Sequence, residues 1–160
     1  MISLRVDTLE LESGHTTTRE VVEHPGAVAV LAWSGTHLAM VRQWRHPAGR
    51  ELLEVPAGTI DPDERPIETA SRELREETGI DAAAWLEGPS FYTAPGFCTE
   101  RLTLFLATEL RDGTATGPPD EIIDVSWLDL DAALRAAEDG TVMDAKSLFG
   151  ILWLARRLGR

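Results

Sequence analysis

Residues 58–80, GTIDPDERPIETASRELREETGI, constrain this chain more than any other stretch. Ile67, Ala70 and Leu74 recur at spacings of three and four, which predicts an amphipathic helix over residues 66–78. Asp63 or Glu64 suits its cap, Pro66 its first turn, and Gly79 the position just past its end. At ~100° per residue, Glu73 and Glu77 point about 40° apart, with Glu76 on the neighbouring edge. Three carboxylates on one face repel one another unless positive charge intervenes. Arg72 and Arg75 can supply it, as on any solvated Glu/Arg-rich face. A hard cation that takes oxygen ligands, such as Mg²⁺, can supply it too.

The surrounding pattern makes strands. Residues 2–11 and 16–22 alternate apolar and polar side chains, and Ser13-Gly14 between them predicts a hairpin. Residues 27–33 and 37–41 read as two core strands with a tight connection at Ser34-Gly35. Residues 51–55 form a further strand, ended by Pro56-Ala57-Gly58. Strand-like segments follow at 90–93, 102–110 and 122–128, and helices at 131–138 and 145–158. Strands grouped around one central helix predict an α+β fold with a mixed sheet between helices. No repeat or linker interrupts the chain, so residues 1–160 read as one domain: strands over 1–23 and a catalytic core over 24–160.

Charge narrows the partners. A net charge of −12 argues against nucleic acid, whose phosphates are bound mainly by Lys and Arg. An acidic protein can still handle a small phosphate ester when metal ions bridge the like charges. No apolar run approaches the ~20 residues that span a bilayer, so no membrane is expected. The start, MISLRVDTLELES, lacks the basic and apolar regions of a secretory signal. Cys98 stands alone, in agreement with a reducing cytoplasm. His15, His24, His37 and His46 show no metal spacing and read as surface or structural. Lys146 is the only lysine, a bias that carries no functional weight in this reading.

The order Gly58, five residues, Glu64, seven residues, then Arg72-Glu73-Leu74-Arg75-Glu76-Glu77-Thr78-Gly79-Ile80 resembles the Nudix box at every defining position. The resemblance implies a Nudix-type α/β/α sandwich and metal-dependent hydrolysis of a diphosphate linked to another group. It implies that Glu73 and Glu77 bind Mg²⁺ directly, with Mn²⁺ or Zn²⁺ as possible substitutes. Glu76 would be a further or water-mediated ligand, Glu64 would help hold the cluster, and Arg72 would orient the glutamates. Gly58 would permit a sharp loop that leaves the Ala57 carbonyl as an additional ligand.

Two flanking stretches, VRQWRHPAGRELLEVPAG and FYTAPGFCTERLTLFLA, resemble the ADP-ribose pyrophosphatase branch, with Pro95 16 residues beyond Gly79. The late segment GTVMDAKSLFGILWL resembles the last helix of those enzymes, so the resemblance runs from about Arg19 onward. Arg45 suits the diphosphate, because guanidinium meets phosphate oxygens in a fork. Arg19 matches an arginine the family places near the adenosine half, or is an exposed strand residue. Trp44 or Trp33 can stack on adenine, although a strand tryptophan is more often core. Pro95 and Gly96 would shape a loop over the terminal ribose, and Glu100 would bind a ribose hydroxyl or support the metals. The resemblance takes the general base from a loop before the last core strand, here GPPDEIIDVSWL, where Glu121 aligns best and Asp120 next. The Gly/Pro-rich TATGPPDE suits a lid. The expected reaction turns ADP-ribose into AMP and ribose 5-phosphate. Alternatives are GDP-mannose or another nucleotide sugar, a damaged nucleoside triphosphate, and a non-catalytic ADP-ribose sensor. The resemblance also implies a homodimer whose amino-terminal strands help build the partner's site.

Overall fold

A computed structural model of the chain describes residues 2–116 and 124–160. Along it run β1 (Ser3–Glu10), β2 (Thr16–Glu23), β3 (Ala27–Ala32), β4 (His37–Arg45), β5 (Arg50–Glu54) and β6 (Ala57–Thr59). Then come α1 (Pro66–Thr78), β7 (Ile80–Tyr92), β8 (Arg101–Asp112), β9 (Asp124–Asp129), α2 (Leu130–Glu138) and α3 (Ala145–Arg157). The central sheet has the order β6-β3-β8-β7 and is mixed: β3 and β8 run parallel, the other pairs antiparallel. A second, antiparallel sheet has the order β5-β4-β9, and β1-β2 form a separate antiparallel pair. This is the expected α+β arrangement, with three α-helices among the described residues.

All six residues of β3 are buried, as a strand covered on both faces requires. Side chains alternate across a strand, so β3 serves two cores. Val28 and Val30 pack with Ala70 and Leu74 of α1 and with Phe105. Ala29 and Leu31 pack with Leu38 and Met40 of β4 and with Ile151 and Leu154 of α3. Burying a side chain of this size contributes roughly 1.5–3 kcal/mol. The α1 stripe is therefore what seats the acidic helix against the sheet.

Several local expectations change. Neither Asp63 nor Glu64 caps α1: Arg65 takes the cap position, and its N–H donates to Glu68 Oε2 at 2.9 Å. Glu64 is drawn instead to Arg72. Gly79 ends the helix as expected, at φ 69°. The strand expected at 90–93 is the end of the much longer β7, whose opening DAAAW has little strand character of its own. Pairing with β8 imposes it, which is tertiary context overriding propensity. The tight connection after Trp33 joins β3 and β4, yet the two strands enter different sheets, linked there by one Trp33–Leu38 bridge. Trp33 is buried in the core, which rules out its stacking on a base. Residues 117–123, including Asp120 and Glu121, lie outside the described residues.

Candidate active site

The site forms where α1 passes beneath β6. Pairing of Val28 with Gly58 and Ala29 with Ala57 fixes β6 on the sheet edge, while Ala70 and Leu74 hold α1 under it. The Ala57 N–H donates to Glu77 Oε2 at 3.1 Å, and Glu77 is only 8% exposed. A Cβ added at Gly58 would lie 2.0 Å from the Glu73 carboxyl carbon. Gly58 lies in a strand with no positive φ, so the expected sharp loop is not the reason for this glycine. Close approach of the Glu73 carboxylate is.

Arg72 gathers three acids. Its Nε and one terminal nitrogen form a fork on Glu64 at 3.1 and 2.9 Å. The other nitrogen donates to Glu73 at 2.7 Å and to Glu76 at 3.0 Å. The Arg72 bonds hold the Glu64 carboxyl down at about 2, and chiefly Glu64 pushes Arg72 upward in turn. Arg75 takes no part, since it pairs with Asp81 at 2.7 Å. The salt-bridge reading of the acidic face thus accounts for Glu64, Glu73 and Glu76.

It leaves Glu77 unexplained. Burial first, and then the Glu73 charge, push the Glu77 carboxyl up to about 8. A buried acid beside a second acid is a pair of hard oxygen donors that could hold a cation. Among the described residues no three acidic, histidine or cysteine side chains form a ready-made cage. Mg²⁺ does not need one, because it is commonly held by one or two carboxylates together with waters and substrate phosphates. The hard oxygens of Glu73 and Glu77, beside Ala57, fit that donor set.

The raised Glu77 value sets a pH dependence. Unfolded, the carboxyl loses its proton near 4.5; folded without metal, it does so near 8. Between those values the folded state binds the extra proton. Its stabilising contribution is therefore full below the lower value, declines as pH rises, and is gone above the higher one. Thermal melts in EDTA are expected to show Tm falling from about pH 5 to about pH 8, with Glu77→Gln flattening that slope. An unchanged slope in the variant would assign the effect to other groups.

Next to this metal candidate lies a cleft of ≈ 330 Å³, lined by Ala27, Arg45, Ala57, Gly58, Thr59, Thr93, Glu100, Leu102, Asp144, Ala145 and Lys146. Arg45, Ala57 and Glu100, which the sequence reading assigns to the site, are among its lining residues. Arg45 forks onto Glu54 through Nε and a terminal nitrogen, both at 2.8 Å. Burial pushes the Glu54 carboxyl up, but Arg45 and Lys146 outweigh it and leave Glu54 below its ordinary range. Glu100 accepts from the Thr93 hydroxyl and faces His24 Nε2 at 3.5 Å. His24 in turn accepts the Gly26 N–H at Nδ1, so it is structural rather than a surface residue.

Other expected substrate residues lie off the cleft lining. Trp44 is 56% exposed on β4. Pro95 and Gly96 sit in an exposed turn closed by Phe97 and Cys98 N–H bonds to the Ala94 carbonyl. Arg19 lies opposite Asp7 on the amino-terminal hairpin and donates to Thr17 Oγ1 and the Thr18 carbonyl. Four residues escaped the sequence reading: Glu54, Asp144, Lys146 and Ser147. Lys146 bonds Glu54 and also Asp144, at 2.9 Å; Asp144 caps α3 by accepting the Ser147 N–H at 3.1 Å. Ser147 Oγ accepts the Val55 N–H at 2.8 Å, tying α3 to the segment between β5 and β6. A lone lysine in a chain that otherwise uses arginine was the available signal.

Comparison with known proteins agrees with this geometry. The NUDIX domain model matches residues 22–148. The chain is 41% identical over 157 residues to the ADP-ribose pyrophosphatase of Bacillus subtilis (strain 168), covering 96% of this chain and 85% of that protein. It is 39% identical over 159 residues to the methanol dehydrogenase activator of Bacillus methanolicus, with 96% and 85% covered. A crystal structure of an ADP compounds hydrolase superposes with a TM-score of 0.85 at 21% identity, covering 99% of this chain and 94% of that one, a likeness of fold.

Proposed function

The chain belongs to the Nudix family and is a hydrolase for the diphosphate of a nucleotide-type substrate, and on that premise we propose that it splits ADP-ribose into AMP and ribose 5-phosphate with Mg²⁺. The observation that carries this reading is the buried Glu77 facing Glu73 behind Gly58, at the edge of a cleft that also presents Arg45. Similarity to the Bacillus subtilis enzyme supports the choice of ADP-ribose. So do the stretches around Arg45 and Pro95.

In the mechanism, Glu73 and Glu77 would hold the metal, with the Ala57 carbonyl and Glu76 as supporting ligands. The metal would activate water and neutralise charge on the phosphate oxygens. Arg72 keeps Glu73 and Glu76 in place, and the packing of α1 keeps Glu77 dry. Arg45, already straightened by Glu54, orients the diphosphate. Glu100 takes a ribose hydroxyl, with Pro95 and Gly96 shaping the loop above it. Glu121, with Asp120 as its neighbour in the same segment, receives the proton of the attacking water. Glu121→Gln is expected to lower kcat by about 10²-fold or more with KM little changed, read in steady-state kinetics. Unchanged turnover would move the base to Asp120, Glu100 or an α1 glutamate.

The proposed working form is a cytoplasmic homodimer. Leu4 and Val6 of β1 are 68% and 61% exposed, an apolar surface suited to a second copy. Arg19 and Trp44, which are not among the residues lining their own cleft, would then serve the adenosine half across that interface. Initial rates on ADP-ribose, GDP-mannose, ADP-glucose and NADH test the substrate. The expected outcome is ADP-ribose fastest; a higher rate on another sugar would overturn the branch and keep the chemistry.

A further inference from the structure

The cleft holds a second cation that the mechanism above leaves unused. Lys146 lines it together with Arg45, Ala57 and Gly58, and its side chain is 15% exposed. We propose that Lys146 is a phosphate-binding residue, a donor to the substrate's diphosphate beside Arg45, and that Glu54 is the positioning residue holding both cations. The proposal rests on the diphosphate reading of this site.

The argument begins with Glu54, which is 1% exposed. Arg45 already meets both of its oxygens in a fork, so the buried carboxylate has a bidentate partner besides Lys146. Lys146 is therefore not the only cation on Glu54. Nor is it required to fasten α3, since the Ser147 hydroxyl already accepts the buried Val55 N–H. An ammonium carries three N–H donors, and two are directed at Glu54 and Asp144. Among the described residues the third has no protein partner. The Arg45 fork likewise leaves one terminal nitrogen of the guanidinium outside its bonds to Glu54. Arg45 and Lys146 balance the carboxylates of Glu54 and Asp144, and Glu100 lines the same cleft, so phosphate would be held by directed N–H donors rather than by net positive charge. Both long side chains are already held, so less ordering entropy remains to be lost when phosphate oxygens arrive.

Two measurements test this on the full chain. Lys146→Met keeps the stem and removes the charge, and is expected to raise KM for ADP-ribose about 10- to 100-fold with kcat within about threefold. Lys146→Arg is expected to recover most of that loss. A purely structural lysine would lower Tm and leave KM in place. The second measurement uses the single lysine: protein grown with ¹³Cε-lysine gives one lysine signal, followed through a titration with inorganic pyrophosphate in EDTA. A saturable shift is expected. A KM for Lys146→Met within about threefold of wild type, or a lysine signal that does not move, overturns the assignment. Wild-type protein that cleaves no nucleotide sugar would instead defeat the ADP-ribose reading, and the lysine signal alone would then decide the role of Lys146.

Discussion

Glu77→Gln is expected to lower kcat by about 10³-fold or more while the protein remains folded. The loss follows from removing one of two carboxylates that hold the metal, whose charge stabilisation is worth several kcal/mol at about 1.4 kcal/mol per tenfold in rate. The fold is expected to survive because Glu77 is held near-neutral without metal, pushed up to about 8 by burial and by Glu73. A glutamine amide has nearly the same shape, and its oxygen can still accept the Ala57 N–H that Glu77 now accepts at 3.1 Å. In EDTA near neutral pH the variant should thus melt at or above the wild-type Tm, because it escapes the proton uptake that folding then demands of Glu77, and only wild type should gain stability on adding Mg²⁺. Turnover within about tenfold of wild type would show that the metal is held elsewhere.

Gly58→Ala is expected to lower kcat by about 10³-fold with a small change in Tm, an effect as large as loss of Glu73 itself. The added methyl would sit 2.0 Å from the Glu73 carboxyl carbon, far inside any tolerable contact. Something must yield, and the mobile partner is the end of a glutamate side chain, whereas β6 is fixed by its pairing with β3. The carboxylate is displaced and the strand stays. If the two residues act through one position, Gly58→Ala and Glu73→Gln together should cost no more than either alone. Additive losses in that double-mutant cycle would mean that Gly58 serves the site in some other way.

Much of this was legible in the chain. The 3–4 spacing of Ile67, Ala70 and Leu74 marks the helix because burial of a stripe demands it, and Gly79 marks its end because φ there is positive. The acidic spacing resembles a known metal motif and fixes the reaction class. The remainder was hidden because it depends on neighbours distant in sequence. Alanine-rich β7 is a strand only because β8 lies beside it. Gly58 looks like a turn residue until the Glu73 carboxylate is seen against it. Glu54 and Lys146 are 92 residues apart, and no local pattern links a strand-end glutamate to the first turn of the last helix. Trp33 and Trp44 are alike in sequence; only packing separates the buried one from the exposed one.

Metal-dependent cleavage of a nucleotide-sugar diphosphate is read by phosphatase-coupled phosphate release from ADP-ribose, with Mg²⁺ present or chelated. The expected result is rapid release with Mg²⁺, none with the chelator, and recovery when Mg²⁺ is restored. Release that continues undiminished in the chelator, or no release from folded protein with Mg²⁺ present, would contradict it.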